Sequence, residues 1–365
     1  MKSFSDVEAN GPKEILIHIG PPKTASTTIQ RLLNERSEEL ARAGVRVITK
    51  HRDAVIDLIG YDYLRMAAVR PTGSWPALQQ AATSAHGERV IISNELLAWL
   101  SDAEISAVAN GLGRNRVRVV FNMRSLPALV ASYWHEYVTR GGAASLGEWC
   151  QTLVSADGRL GNLSDPSIRF WQSEDSALLA HRWANVLGSD RVTCVFVVEG
   201  NPKLTLARIT DAFGIAADES AAPVRIENQS ASQRALEGLQ LFNRLVERSR
   251  IPYRFRQTLA RYAREQLEGR GVYLGPKPRV PEDFRTAFAT RQERMVRELR
   301  ATGVRVVGEE SDLIVAAREA SPNEPVALSA QIRIELGPLA VRVVRRVFER
   351  LLRRKPASRK DHRVR

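Results

Sequence analysis

A lysine set in a run of small hydroxyl residues, directly behind an apolar stretch, is a combination that can hold an anion. Ile15 to Ile19 read as a buried strand, Gly20, Pro21 and Pro22 force a loop, and Lys23, Thr24, Ala25, Ser26, Thr27 and Thr28 lead into a helix expected to begin near Thr24. The first N–H groups of a helix have no partner within it, and its dipole is positive at that end. A phosphate or sulfate in the loop would therefore meet backbone donors. Lys23 adds a point charge, and the hydroxyls of Thr24, Ser26, Thr27 and Thr28 add further donors. Ala25 is expected to take the negative φ of a helix start. The same residues also suit an ordinary strand-loop-helix in which Thr and Ser are caps.

A second strand-turn-helix unit lies downstream. Val117 to Phe121 are β-branched and apolar, Asn122 to Pro127 turn the chain, and Ala128 to His135 follow a helical pattern. Arg124, at the strand's end, can fork onto a phosphate, and Ser132, two helical turns along, reaches the same anion if the helix leans over the strand. Taken alone, Arg124 is equally well a solvated charge. Between the two units Arg89 to Leu96 form a short strand with a polar tip at Glu95. Ligands of parallel sheets sit outside the carboxyl ends of the strands, which puts Glu95 in one crevice with Lys23 and Arg124. A carboxylate there can take a proton from an attacking hydroxyl, or it can cap the helix that follows.

The loop departs from the ordinary nucleotide loop Gly-x-x-x-x-Gly-Lys-Ser/Thr: Lys23 comes three residues after Gly20, and no second glycine precedes it. Pro22-Lys23-Thr24-Ala25-Ser26-Thr27-Thr28 instead resembles the Pro-Lys-Thr-Gly-Thr-Thr-Ser loop of sulfotransferases that use 3′-phosphoadenosine 5′-phosphosulfate (PAPS), with Ala25 where that family usually has glycine. Arg124 and Ser132 have the spacing of the family's arginine and serine. The resemblance spans residues 14 to 216. It implies that Lys23, Thr24, Ala25, Ser26, Thr27 and Thr28 hold the 5′-phosphosulfate, and that Arg124 and Ser132 hold the 3′-phosphate. It also implies that Glu95 takes the acceptor's proton, as a glutamate does in the carbohydrate-modifying members. The implied reaction moves a sulfuryl group to a hydroxyl of a carbohydrate or glycolipid, with no metal. The glycine-rich C-terminal cofactor loop of the small-molecule enzymes is not found, so no adenine-binding residues are carried over. Two other readings share the anion cradle. One is a nucleotide-dependent kinase, although Asn122-Met123-Arg124 offers no Walker B aspartate. The other is a non-catalytic, membrane-recruited nucleotide-binding protein.

The elements that must position these residues read as α/β: a P-loop NTPase-like parallel sheet flanked by helices, with a mainly helical C-terminal extension. The expected order is a tail over 1–13, a core over 14–222, a helical part of the same domain over 223–320, a linker over 321–337, and a basic amphipathic helix and tail over 338–365. One helix is expected over 27–43, ending at Gly44, and later helices over 237–250, 253–268 and 281–301, with an Asn-x-Ser cap at Asn228. With 365 residues, 44% hydrophobic and 26% charged, the chain can bury a sizeable core. Cys150 and Cys194 are its only cysteines and imply no disulfide framework, and the six histidines show no ligand spacing with them. His18, between Ile17 and Ile19, reads as a packed or hydrogen-bonded histidine, and His135, three residues past Ser132, as a structural or substrate-lining one. The N-terminus carries no apolar signal core and no run of eighteen apolar residues occurs, so the expected location is cytoplasmic, or peripheral at the inner membrane face.

Charge is unevenly spread. Pro338 to Arg365 hold eleven Lys or Arg against two acids, which places +9 of the net +13 in this tail and +4 in everything before it. Leu339, Val343, Val344, Val347, Phe348, Leu351 and Leu352 recur at helical spacing, with arginines between them. Such a helix over 338–356 suits an anionic membrane surface, and it can also dock on the protein's own body; the absence of interleaved aromatics speaks against nucleic acid.

Overall fold

Continuous apolar runs, the mark of strands buried on both faces, become the sheet. The computed structural model describes residues 11–49, 52–62, 67–156, 165–215, 231–248, 253–268 and 275–314. In chain order the strands are β1 (Glu14–Ile19), β2 (Val45–Ile48), β3 (Tyr61–Asp62), β4 (Ala67–Ala68), β5 (Arg89–Ser93), β6 (Val117–Met123), β7 (Val192–Phe196) and β8 (Arg305–Val307). Six of them form one sheet in the order β2-β5-β1-β6-β7-β8, parallel throughout, and β3 with β4 makes a small antiparallel ribbon. This is the α/β architecture expected, with helices such as Ser26–Glu35, Asp102–Leu112, Ser176–Leu187 and Pro202–Ala212 between the strands.

The strand order fixes where a ligand can enter. From β1 the chain crosses to β2 on one side, whereas from β6 it crosses to β7 on the other. Neighbouring strands whose connections diverge leave a crevice at their carboxyl ends. The loops leaving β1 and β6 are the ones that carry Lys23 and Arg124.

Beneath the crevice one apolar cluster joins sheet and helices. Leu16, Ile91, Val120 and Val195 from four strands meet Ile29 and Leu33 of the Ser26–Glu35 helix and Ile209 and Phe213 beyond β7. Ile29, Leu32 and Leu33 lie at helical spacing on the buried face, so burial of one stripe seats this helix on the sheet.

Some elements differ from the sequence expectation. The helix read over 27–43 is two, Ser26–Glu35 and Ser37–Arg42, hinged at Arg36, because Glu38 and Glu39 supply a fresh acidic first turn. β8, only three residues long, adds itself to β7 from within the stretch read as helical.

The described residues of Met1–Ser132, Gly147–Gln229 and Val280–Ala317 make one compact unit, and those of Tyr133–Leu146 and Ser230–Arg279 a second. In the second unit, Gln233–Arg248 and Tyr253–Glu268 are helices. Asn243 Nδ2 there donates to the carbonyls of Val138 and Gly142, each at 2.8 Å, and Gln240 Nε2 to that of Ala143 at 2.6 Å. Among the described residues no helix is long and apolar enough to cross a membrane. The Asn228 cap, the linker over 321–337 and the basic helix over 338–356 lie outside the described residues.

Candidate functional site

The loop between β1 and the Ser26–Glu35 helix is built from its own hydroxyls. Thr24 N and Oγ1 both donate to the Pro21 carbonyl, at 3.2 and 2.6 Å. Ser26 Oγ donates to the carbonyls of Gly20 and Pro21, at 2.9 and 3.1 Å. Thr24 and Ser26 were expected to aim their hydroxyls at an anion; both are buried and instead hold the loop together. Thr27, exposed, and Thr28, half-buried, make no side-chain hydrogen bond among the described residues. Gly20 is required by close approach: a Cβ there would overlap Ser26 Oγ and fall 2.8 Å from His18 Cε1.

Ala25 overturns its expectation. It is the N-cap residue, in the left-handed region at φ 72° and ψ 11°, and Lys23 is left-handed too, at φ 70°. The reason is that the helix starts at Ser26, two residues after Thr24, so Ala25 belongs to the loop that must bend back toward the sheet. No side chain caps this helix, and its first intrahelical bond runs from Ile29 N to Ala25 O. The N–H groups of Ser26, Thr27 and Thr28 are thus presented to the crevice, at the positive end of the helix dipole.

Three strand tips support the loop from below. His18 of β1 is in register with Ser93 of β5, and its Nδ1 lies 2.7 Å from Ser93 Oγ. Asn122 of β6 places Nδ2 3.2 Å from His18 Nε2 and donates to the Thr24 carbonyl at 3.1 Å. The amide nitrogen can donate to Nε2 only if Nε2 is bare, so the Nδ1 tautomer, donating to Ser93, satisfies the chain of bonds. Burial pushes the His18 pKa down to about 3, and the ring is therefore neutral near pH 7. His18 is thus packed and hydrogen-bonded, as its sequence context suggested.

Arg124 joins the two loops. Its Nη1 donates to the Lys23 carbonyl at 3.0 Å, so the cation beyond β6 and the loop beyond β1 touch directly. Its other edge is held by Glu199, Nε to Oε1 at 2.5 Å and Nη2 to Oε2 at 3.1 Å. Glu199 as a partner was not anticipated from the sequence. The signal was available only through topology, since Val197 N continues the ladder to the Met123 carbonyl and so brings Glu199 beside Arg124.

Glu95 begins a short 3-10 helix, Glu95–Trp99, after β5. The capping role open to it belongs to Asn94, whose side chain accepts from Leu96 N at 2.9 Å. Glu95 Oε2 instead accepts from Gln30 Nε2 at 3.0 Å, which ties the carboxylate to the cradle's helix. Ser132 is half-buried on the Leu126–Thr139 helix, and its side chain makes no hydrogen bond among the described residues. That helix is capped from a distance, Leu126 N donating to Gln292 Oε1 at 2.8 Å. No group of three or more His, Cys, Asp or Glu side chains is placed to hold a metal ion among the described residues.

No protein-family model matches the chain, and no curated protein does. Among solved structures the chain is similar to the crystal structure of a sulfotransferase from Alicyclobacillus acidocaldarius, at 12% identity and a TM-score of 0.43, over 69% of this chain and 96% of that one.

Proposed function

We propose that the protein is a sulfotransferase that uses PAPS as donor and a hydroxyl of a carbohydrate or glycolipid as acceptor. The observation that carries this reading is the direct bond from Arg124 to the Lys23 carbonyl, which sets an arginine beside an uncapped helix N-terminus. Two anion sites side by side suit a nucleotide with separated phosphates. The motif Pro22 to Thr28 and the Arg124–Ser132 spacing support the same reading. The fit is good at the cradle, where Ser26, Thr27 and Thr28 offer backbone N–H groups, and at Arg124, where two of five N–H groups remain after Glu199 and Lys23 are served.

The donor, when bound, supplies an activated sulfuryl group. In the proposed mechanism the helix N–H groups and Lys23 stabilise negative charge developing on oxygens in the loop. Arg124 and Ser132 orient the second phosphate, which fixes the reacting group in line with the acceptor. Glu95, steadied by Gln30, accepts the proton as the hydroxyl oxygen attacks.

The test is thermal stabilisation of the full chain by adenosine 3′,5′-bisphosphate, the spent donor, against ATP with magnesium. At a hundredfold excess over Kd a ligand of the folded state contributes about 2.7 kcal/mol, a shift of a few degrees. Stabilisation by the bisphosphate, much reduced in Arg124→Ala, is expected. A response to ATP with magnesium alone would move the protein to the kinase reading.

A further inference from the structure

The ion pair at Arg124 carries a consequence for affinity. β7 ends at Phe196, and a turn follows in which Gly200 takes φ 79°, Val198 N donates to Thr205 Oγ1 at 2.9 Å, and Asn201 caps the Pro202–Ala212 helix. This turn fixes the backbone of Glu199 beside the end of β6. Its carboxylate grips the Nε–Nη2 edge of Arg124 bidentately, the geometry in which a guanidinium also binds phosphate. Both side chains remain about a quarter exposed, at 25% and 23%, so an incoming anion can reach them.

We propose that Glu199 is an internal stand-in for the ligand's second phosphate, a positioning residue that acts through Arg124 and weakens the grip on the nucleotide. This rests on the reading of the site as one for a 3′,5′-phosphorylated nucleotide. In the free protein the carboxylate neutralises Arg124. When a phosphate arrives, the guanidinium must serve two anions, or Glu199 must yield. When the spent donor leaves, the carboxylate is at hand to reclaim the cation, which favours release. Orientation of Arg124 does not depend on Glu199 alone, because the Lys23 carbonyl holds Nη1 independently. Removing the charge while keeping the shape should therefore tighten binding of the nucleotide.

The experiment is calorimetric titration of full-length wild type, Glu199→Gln, Arg124→Ala and the double variant with adenosine 3′,5′-bisphosphate and, separately, adenosine 5′-monophosphate, at low and at high salt. Glu199→Ala is a second variant expected to act in the same direction, and melting without ligand confirms that each is folded. Glu199→Gln should bind the bisphosphate roughly three- to tenfold more tightly, a gain that shrinks with salt as for any partly exposed charge. Its affinity for the monophosphate, which has no group for Arg124, should be unchanged, and the gain should vanish in the Arg124→Ala background. Equal or weaker binding in Glu199→Gln, or a gain that persists without Arg124, overturns the inference and leaves the site's reading intact. Absence of bisphosphate binding in wild type removes that reading, and the role of Glu199 with it.

Discussion

Lys23 and Ala25 both hold left-handed backbone within one loop, at φ 70° and 72°, and they are the positive-φ residues other than glycine among the described residues. For a residue with a Cβ this costs about 1–2 kcal/mol, and it persists where the surroundings over-determine the conformation. Here the hydroxyls of Thr24 and Ser26 and the amide of Asn122 do so. Ala25→Gly removes the Cβ penalty, while the freer unfolded chain takes back about 0.5–1 kcal/mol. The steric gain is the larger, so the variant should be more stable by up to about 1 kcal/mol, seen as a higher urea midpoint at unchanged slope. A lower midpoint would show that Ala25 is right-handed in solution. The positions of Lys23 and Arg124 were legible in the sequence because lysine beside hydroxyls and arginine after an apolar run are types with few other uses together. The handedness of Ala25 was not, since an alanine carries no mark of positive φ as a glycine would. Glu199 was hidden by its 75-residue separation from Arg124, which only strand pairing closes.

At the level of elements, the loop's conformation is a property of three strand tips acting together. His18, Ser93 and Asn122 stand on neighbouring strands and pass a chain of hydrogen bonds up to the Thr24 carbonyl. The imidazole's pKa falls from 6.5 to about 3 on burial, so the folded protein excludes a proton that the unfolded chain accepts. Stability from this source is therefore complete above pH 6.5 and is lost progressively as pH falls from there toward 3. The loss amounts to roughly 3–5 kcal/mol over the whole interval if the shift is fully expressed. Urea unfolding of wild type and His18→Gln at half-unit steps from pH 7 to 4 measures it, because carboxylates common to both cancel in the difference. Wild type should fall more steeply; parallel curves would mean that His18 is protonated without cost. The strands themselves were readable as apolar runs, since a parallel sheet buried on both faces leaves no other pattern. The break at Arg36 and the strand β8 were not: a hinge within one continuous amphipathic stretch, and three residues paired at a sheet's edge, leave too little periodicity to see.

Across the whole chain, charge is unevenly divided. The residues before Pro338 carry a net +4, and the tail from Pro338 carries +9 with apolar residues at helical spacing among its arginines. The tail's structure lies outside the described residues, so its role is argued from sequence and is our proposal: residues 338–356 bring the protein to an anionic membrane surface, where a glycolipid acceptor would also be found. Each Lys or Arg near such a surface contributes about 1 kcal/mol, and the attraction falls off within a Debye length. The apolar face, through Leu339, Val343, Val347, Phe348 and Leu351, adds burial in the headgroup boundary that salt does not screen. Sedimentation with vesicles separates the two contributions. Full-length protein should pellet with vesicles containing phosphatidylserine, partly resist release by salt, and stay in solution with phosphatidylcholine alone. A chain ending at residue 337 should stay in solution with both and keep its stabilisation by adenosine 3′,5′-bisphosphate. Equal partitioning of the two chains would assign the tail to the protein's own body, because a helix docked there has its apolar face already covered and none left for lipid.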